Sequence, residues 1–384
     1  MQILPFIMTG EAPIGVEIHA GGVRLAQVRK SRSGITVRAL ASAPVDAKGR
    51  GPHDTSLLEE VARTVYSLRS EGFCGKRCVV GLDSRLVRTR SVRQAHLEDD
   101  EVNKAVKLDA PSRLGFADDE PCEVAWLRAG DVRQSDEVRD ELIYLGVKRA
   151  PIERLVGELA ALGLQTVAVE PNFLALARAY TRTLRRESDV AVSRLIVDIG
   201  EQHSEVLVTR GRGVAFYKQV EIGAAAITRA AAEKLGLDPK TVQDLRRRRV
   251  IAAATPGAEQ NLDPKVDRAI FDAVRPVMND LAHEVTLCLR YFSVTFRGIR
   301  PDAVIVSGDE AGEPGLAQTI SESAHLPCSV GRPLDGLDTS RIANLPHSRG
   351  FGSAWGAAVS LSTRTIEATA SRRERVEREE RAAA

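Results

Sequence analysis

One short unit that occurs twice constrains the fold more than any other feature of the sequence. Leu195–Val208, LIVDIGEQHSEVLV, reads as a strand, an acidic residue, a small turn and a second apolar strand. Ile14–Val28, IGVEIHAGGVRLAQV, follows the same plan. Because the copies are separated by nearly half of the chain, the sequence predicts two related halves, each built around one such hairpin.

The repeated unit has the composition of a phosphate-binding turn. A tight turn can aim successive backbone N–H groups at one point, and a carboxylate at the strand end can hold Mg²⁺ through water. In the second copy, Asp198 is the acid, Gly200 permits close approach and Ser204 can donate a hydroxyl; in the first copy, Glu17 is the acid. Asp198 and Glu17 are therefore the candidate Mg²⁺ ligands, each acting through water. For either copy taken alone, an ordinary hairpin remains the alternative.

Composition argues against several classes of function. The length of 384 residues suggests two to four units of roughly 100 residues each. A net charge of +2 and an aromatic content of 4% argue against nucleic-acid binding. No stretch stays apolar for the ~20 residues that a bilayer needs, and the N-terminus lacks the features of a signal peptide. We therefore expect a cytoplasmic protein with no direct membrane insertion, and five scattered cysteines that form neither a disulfide framework nor a zinc site.

The order of strand and helix patterns predicts four units along the chain. These units are a first lobe at 1–90, an inserted subdomain at 91–185, a second lobe at 186–364 with its own insertion at about 225–295, and a charged tail at 365–384. Within the inserted subdomain, residues 129–140 are polar and are predicted to form a loop between two strands.

Beyond the two hairpins, four stretches resemble the PilM family, the FtsA-related actin-like components of type IV pilus machines. They are LEDDEVNKAVKLDAP at 97–111, RLVGELAALGLQTVAVEPNFLALARAY at 154–180, VAFYKQVEIGAAAITRAAAEKLGLD at 214–238 and VIVSGDEAGEPGLAQTISESAHLPCSV at 304–330. The resemblance extends from Ile14 to about Arg364, and it depends on the order of the motifs.

The resemblance implies an α/β, actin-like (ribonuclease H-like) fold of two lobes, with an FtsA/PilM-type inserted subdomain. It also implies that the chain binds the cytoplasmic N-terminal tail of a PilN-like inner-membrane protein, in a groove between the first lobe and the inserted subdomain. ATP with Mg²⁺ would lie between the lobes. The implied nucleotide-binding residues are Glu17, Gly21, Gly22, Arg24, Asp198, Gly200, Ser204, Gly223, Gln243, Arg246, Ser307, Gly308 and Asp309.

The sequence departs from the family pattern at these nucleotide positions. In the first motif, Glu17 and His19 stand where the family has aspartate and glycine. Gln243 replaces a glutamate that would accept hydrogen bonds from the ribose. Asp309 and Glu310 replace two glycines where the family backbone approaches the nucleoside. These changes predict that ATP binding is weakened or lost.

Two classes of function remain open from the sequence. The first is a structural adaptor in pilus or secretion-system assembly, with self-association as a further option. The second is an active actin-like ATPase or kinase, including an FtsA-type cell-division protein. The tail at 365–384 lacks the large apolar residues of a membrane-inserting helix, which favours the adaptor. The four-arginine run Arg246–Arg249 is predicted to be the solvated end of a helix.

Overall fold

A computed structural model describes residues 10–32, 34–46, 49–134, 137–254, 263–342 and 351–364 of the chain. Within these residues the strands are β1 (Gly10–Glu11), β2 (Ile14–His19), β3 (Gly22–Ser31), β4 (Gly34–Pro44), β5 (Arg77–Leu82), β6 (Arg88–Ala95), β7 (Cys122–Gln134), β8 (Glu137–Lys148), β9 (Gln165–Pro171), β10 (Ser193–Ile199), β11 (Ser204–Arg210), β12 (Gly213–Val220), β13 (Ala303–Gly308) and β14 (Cys328–Val330). The helices are α1 (Thr55–Leu68), α2 (Asp99–Arg113), α3 (Arg149–Ala161), α4 (Asn172–Thr181), α5 (Ala224–Leu235), α6 (Pro239–Ala254), α7 (Pro264–Thr295), α8 (Leu316–Ala324) and α9 (356–364). Short 3₁₀ turns lie at Ser84–Leu86, Glu187–Ala191 and Phe351–Trp355.

The two halves of the chain form two sheets of the same design. In the first sheet, β2, β3 and β4 are antiparallel neighbours, while β5 and then β9 continue from β2 in parallel. In the second sheet, β10, β11 and β12 are antiparallel, while β13 and then β14 continue from β10 in parallel. This duplication confirms the predicted repeat. Each acid also has the same place in its half, since Glu17 pairs with Arg24 across β2–β3 and Asp198 pairs with Glu205 across β10–β11.

A third, antiparallel sheet of order β6–β8–β7 forms the inserted subdomain. Leu142 and Tyr144 on one face of β8 pack in a small core with residues of α2, and Ile143 and Leu145 on the other face belong to the core of the second lobe. The inserted sheet is therefore held between its own helix and the second lobe. The prediction of a polar loop at 129–140 is wrong, because β7 and β8 continue through most of this segment.

The predicted inserted subdomain at 91–185 extends too far toward the C-terminus. Its sheet spans 88–148, whereas β9 pairs with β5 at the edge of the first sheet. Leu155 and Leu159 of α3 are buried in the first-lobe core, and Phe173 of α4 is buried in the second-lobe core. The alternation of strand and helix in 149–185 is real, but these elements complete the lobes rather than the insertion.

The last described helix returns to the first lobe. Ser362 of α9 donates from its hydroxyl to Pro13 O at 2.7 Å and accepts from Val28 N at 3.0 Å. Position 15 of β2 requires glycine, because a Cβ atom there would lie 2.1 Å from the carbonyl oxygen of Ala358. Hence the two lobes are tied together by α9 as well as by α4. The tail at 365–384 lies outside the described residues.

Helix starts follow local sequence rules. Asp54 caps α1 by accepting from Ser56 N at 2.9 Å and Leu57 N at 3.2 Å. Glu98 and Glu101 form a capping box at α2, and Pro264 opens the long helix α7. Among the described helices, none combines the length and apolarity that crossing a bilayer requires.

Candidate functional site

A cleft between the two lobes collects the acidic ends of both repeated hairpins. Glu17 and His19 of the first hairpin and Asp198 and Gly200 of the second line it, together with Asp309 from the turn after β13. Its cavity volume is about 50 Å³. By the ~10–15 Å³ of such volume that one water molecule needs, this space suits a few waters.

A buried arginine bridges the lobes inside the cleft. The Arg24 guanidinium donates to Glu17 Oε1 at 2.9 Å within the first lobe and pairs with Asp309 of the second lobe. The side chains of Arg24 and Glu17 are about nine-tenths buried, whereas the Asp309 side chain is about half exposed. Arg24 therefore supplies the positive charge between the two acids.

The carboxylates of the cleft are difficult to ionise. Burial raises the pKa of Glu17 to about 7; Arg24 opposes the rise, and the nearby charges of Asp198 and Asp309 add to it. Burial likewise raises the pKa of Asp198 to about 6, against hydrogen bonding from Ser307 and the charge of Arg24. One guanidinium thus compensates the negative charge of the cleft only in part.

A polar chain at the base of the cleft provides a second contact between the lobes. Ser84 Oγ of the first lobe lies 2.6 Å from His203 Nε2 of the second. Tyr217 donates its hydroxyl to Glu205 Oε1 at 3.0 Å, and its ring stacks on Phe173 with centroids 4.0 Å apart. Burial raises the pKa of Glu205 to about 8, and burial lowers the pKa of His203. The base of the cleft is therefore neutral and tightly bonded near pH 7.

A buried ion-pair network lies farther along the second lobe. Arg246 of α6 bonds Glu313 Oε2 through Nε at 3.1 Å, pairs with Glu310, and reaches Thr228 Oγ1 at 2.8 Å. Arg249 bonds Glu313 Oε1 at 2.8 Å and Asp267 Oδ1 at 2.7 Å. The prediction that the arginine run is solvated is wrong for Arg246 and Arg249, whose side chains are 2–3% exposed.

With this geometry established, comparison with known proteins identifies the family. The family of type IV pilus assembly protein PilM matches residues 15–366, which is most of the chain. The chain belongs to the PilM family.

Solved structures show the corresponding fold. A PilM–PilN type IV pilus biogenesis complex is similar over 92% of this chain and 98% of that chain, with a TM-score of 0.75 and 17% identity. The ethanolamine utilization protein EutJ from Carboxydothermus hydrogenoformans is similar over 94% and 92%, with a TM-score of 0.50 and 14% identity. No curated protein matches the sequence. The predicted actin-like fold is confirmed, and this PilM family member is a type IV pilus assembly protein.

The structure separates the predicted nucleotide residues of this PilM family member into two groups. One group lines the cleft: Glu17, Arg24, Asp198, Gly200, Gly308 and Asp309. The other group lies outside the lining: Gly21, Gly22, Ser204, Gly223, Gln243, Arg246 and Ser307. Sequence reasoning missed Asp83, Ser84, Asn172 and Glu205 as lining residues, and their only signal was a position at or beside strand ends.

Several of the predicted nucleotide residues make internal contacts in this structure. Ser204 donates its hydroxyl to Ile222 O at 2.6 Å, and Ser307 accepts from Tyr180 and donates to Ser353 O at 3.2 Å. Gln243 is exposed on α6. Gly223 and Gly22 serve backbone packing, because a Cβ atom on either would overlap backbone of a neighbouring turn or strand.

The first amides of α5 are also occupied. Ala224 N donates to Gly200 O at 2.9 Å, and Ala225 N donates to Glu201 O at 2.9 Å. Gly200 N itself donates to His203 O at 3.1 Å. The second hairpin therefore closes on the helix start, and these N–H groups do not point at a common anion position.

The predicted Mg²⁺ ligands fit a resident Mg²⁺ poorly. Within the described residues, no group of three or more His, Cys, Asp or Glu side chains is placed to hold a metal ion. Glu17 is already paired with Arg24, and burial raises the pKa values of Glu17 and Asp198, so direct coordination of Mg²⁺ by both carboxylates is unfavourable. The donor set that remains is suited to a guanidinium rather than a bare dication.

Gly308 at the end of β13 is required by the geometry of the cleft. Its φ of +92° lies in the region that favours glycine, and a Cβ atom there would overlap the carbonyl oxygen of Ile199. We expect Gly308→Ala to lower the free energy of unfolding by about 2–4 kcal/mol. Urea unfolding followed by circular dichroism measures the change.

Gly157→Ala is the matched control for Gly308→Ala. Gly157 lies in α3, nothing approaches its Cβ position, and alanine favours the helix by about 0.5–1 kcal/mol. A Gly308→Ala protein as stable as wild type would show that the β13 turn can relax without strain.

Proposed function

We propose that this PilM family member is an adaptor in type IV pilus assembly whose nucleotide cleft is closed by its own ion pairs. It binds the cytoplasmic N-terminal tail of a PilN-like inner-membrane protein and reaches the membrane through that partner. The family match and the similarity to a PilM–PilN complex support the partner. The observation that carries the closed cleft is the pairing of Arg24 with Glu17 and Asp309 across the lobes.

Electrostatics argue against a polyphosphate in this cleft. Six carboxylates line the cavity, and Arg24 is its single arginine or lysine. A triphosphate would add several negative charges to a buried site whose own acids already resist ionisation. Opening the cleft for it would also break the Arg24–Asp309 bridge, and Arg24 would keep only Glu17 as its partner.

The positions that depart from the family pattern supply the internal pairs. Asp309 and Glu310 stand where the PilM family resemblance places glycines, and here they pair with Arg24 and Arg246 respectively. These two departures therefore each have an ion-pair partner in this chain. Charged side chains stand where the family pattern has glycines beside the nucleoside. This replacement favours a scaffold with a closed cleft over an ATPase that hydrolyses its nucleotide.

In this proposal, the tail of the PilN-like protein binds in a groove where the inserted subdomain meets the first lobe. His53, from the loop before α1, faces Lys148 and Arg88 at the ends of β8 and β6, and burial with these cations lowers its pKa. Lys148 is held by Glu120 at 2.5 Å. A polar, mostly preformed junction of this kind suits an extended peptide.

The test uses the purified full chain and a synthetic N-terminal tail of the PilN-like protein encoded beside it. We expect saturable tail binding by calorimetry, with an affinity that Mg-ATP changes less than two-fold and no phosphate release above buffer. Lys148→Glu is expected to weaken the tail at least five-fold. Lys265→Glu, on an exposed turn of α7, is the matched control.

The two halves of the proposal fail separately. A chain that binds no such tail contradicts the adaptor. Micromolar Mg-ATP binding with phosphate release contradicts the closed cleft.

A further inference from the structure

One end of the second lobe brings together three arginine-rich segments. They are residues 185–194 leading into β10, the β11–β12 turn at 210–213, and residues 297–302 between α7 and β13. Gly211 N donates to Val192 O at 2.8 Å, and Asp302 N donates to Ser193 O at 2.8 Å. These bonds join the three segments into one surface, which we call the basic surface.

The basic surface carries positive charge that the chain does not compensate. Its three segments contain seven arginines and three acids, a net charge of +4, whereas the whole chain carries +2. The exposed arginines are Arg185, Arg186, Arg212, Arg297 and Arg300. Each of these five lacks an ion pair with any residue that the structure describes. The surface is therefore suited to an anionic partner.

The acids of the basic surface are largely engaged with the backbone. Asp189 accepts from the amides of Arg185 and Arg186 at 2.7 and 2.8 Å. Asp302 accepts from Ser193 N at 2.9 Å. These two carboxylates thus hold the segments in place, and they are not paired with the exposed guanidinium groups.

Two aliphatic side chains project among these arginines. Val190 is 71% exposed, and its backbone packs against Gly211 of the β11–β12 turn. Val294, in the last turn of α7, is 82% exposed and precedes Arg297 by one turn. Exposed arginines with aliphatic side chains between them are typical of surfaces that lie on anionic membranes.

Residue chemistry distinguishes a membrane from other anionic partners. A guanidinium binds phosphate oxygens through paired N–H donors. Single-stranded nucleic acid would also need aromatic side chains for its bases, and the three segments contain none. An acidic polypeptide would gain nothing from burying two valines, whereas lipid headgroups and the acyl boundary beneath them accommodate both residue types.

We propose that the basic surface binds the anionic phospholipid headgroups of a membrane. Its arginines contact the phosphates, and Val190 and Val294 reach the boundary of the acyl chains. The inference rests on the proposed function only in that the tail of the PilN-like protein brings the chain to the membrane. It adds an orientation, because this end of the second lobe then faces the lipid.

The test measures co-sedimentation of the purified full chain with vesicles. One vesicle set is phosphatidylcholine alone, and the other is phosphatidylcholine and phosphatidylglycerol in equal parts. We expect binding to the anionic vesicles only, and its loss at high salt because counterions screen the attraction. Arg212→Glu combined with Arg297→Glu should weaken vesicle binding at least ten-fold.

A matched control separates this surface from net charge. Arg63→Glu combined with Arg77→Glu changes the charge of the chain equally, at exposed positions of the first lobe. We expect this control to bind anionic vesicles within two-fold of wild type. Equal losses in the two double variants would reduce the effect to net charge and overturn the inference.

Val294→Ser and a soluble polyanion separate lipid from an acidic polypeptide. The serine variant should weaken vesicle binding about three-fold, because the valine no longer enters the acyl boundary. Tighter binding to poly-L-glutamate than to the anionic vesicles would overturn the inference in favour of an acidic protein partner.

Binding of the synthetic tail, measured by calorimetry on the same variants, reports on the proposed function separately. We expect all of them to bind the tail as wild type does, which also shows that they fold. A chain that binds the tail but no anionic vesicle would contradict this inference alone. A chain that binds the vesicles but not the tail would contradict the adaptor.

Discussion

Replacing Glu313 by alanine is expected to lower the free energy of unfolding by about 3–5 kcal/mol. The Glu313 side chain is fully buried and accepts from Arg246 at 3.1 Å and Arg249 at 2.8 Å. Without it, two buried guanidiniums lose their common partner, and Arg246 keeps only Glu310 and Arg249 only Asp267 as acidic partners. Chemical unfolding of wild type and variant in parallel measures the loss.

Two variants separate charge from packing in this prediction. Glu313→Gln keeps one acceptor oxygen and should lose roughly half as much stability, because one guanidinium stays bonded. Glu322→Ala, on the exposed face of α8, should change stability by no more than about 0.5 kcal/mol. A Glu313→Ala protein within 1 kcal/mol of wild type would show that the network contributes little.

Among the cleft acids, Glu205 should make the largest single contribution to the pH dependence of stability over the range from about pH 5 to 9. Its pKa is about 8 in the folded chain against 4.5 ordinarily, so the folded protein keeps a proton that the unfolded chain releases. The sign follows from linkage: this contribution is complete below about pH 4.5 and is lost as the pH rises through 8. Over that range it amounts to on the order of 3–4 kcal/mol.

Glu205→Gln tests the pH prediction by difference. Glutamine keeps the acceptor for Tyr217 but cannot ionise, so the variant should gain on wild type by about that amount between pH 5 and 9. Ser84 and Tyr217 hydrogen-bond to Glu205, and the nearby charges of Asp198 and Asp83 add to the rise in its pKa that burial causes. If the difference in stability between Glu205→Gln and wild type stayed constant from pH 5 to 9, a group other than Glu205 would have to bind the proton.

Much of the fold is predictable from the sequence because it follows from the local periodicity of apolar residues. The meander of β2, β3 and β4 and its second copy follow from alternating apolar residues with turns between them. Glu17 and Asp198 line one cleft, in agreement with the two-lobed arrangement that the family resemblance implies. Whether these residues hold nucleotide is a separate matter that the strand pattern cannot decide.

What the sequence did not reveal depends on partners far along the chain. Arg246 and Arg249 are spaced by three residues, which places them on one helix face, but burial of that face depends on Glu313, 67 and 64 residues away. The polarity of 129–140 concealed Ala129 and Val132, which are buried against the second lobe. Local composition cannot distinguish a solvated charge from one with a distant partner.

The matched positions of Glu17 and Asp198 also carry a consequence for how the two repeats can combine. The cross-strand neighbour of Glu17 is a cation, Arg24, whereas that of Asp198 is another acid, Glu205. A pair made from two copies of the first repeat would set arginine against arginine, and a pair made from two copies of the second would bury four carboxyl groups together. The two halves are complementary rather than equivalent. We therefore expect that neither half can replace the other or form a stable pair with a second copy of itself.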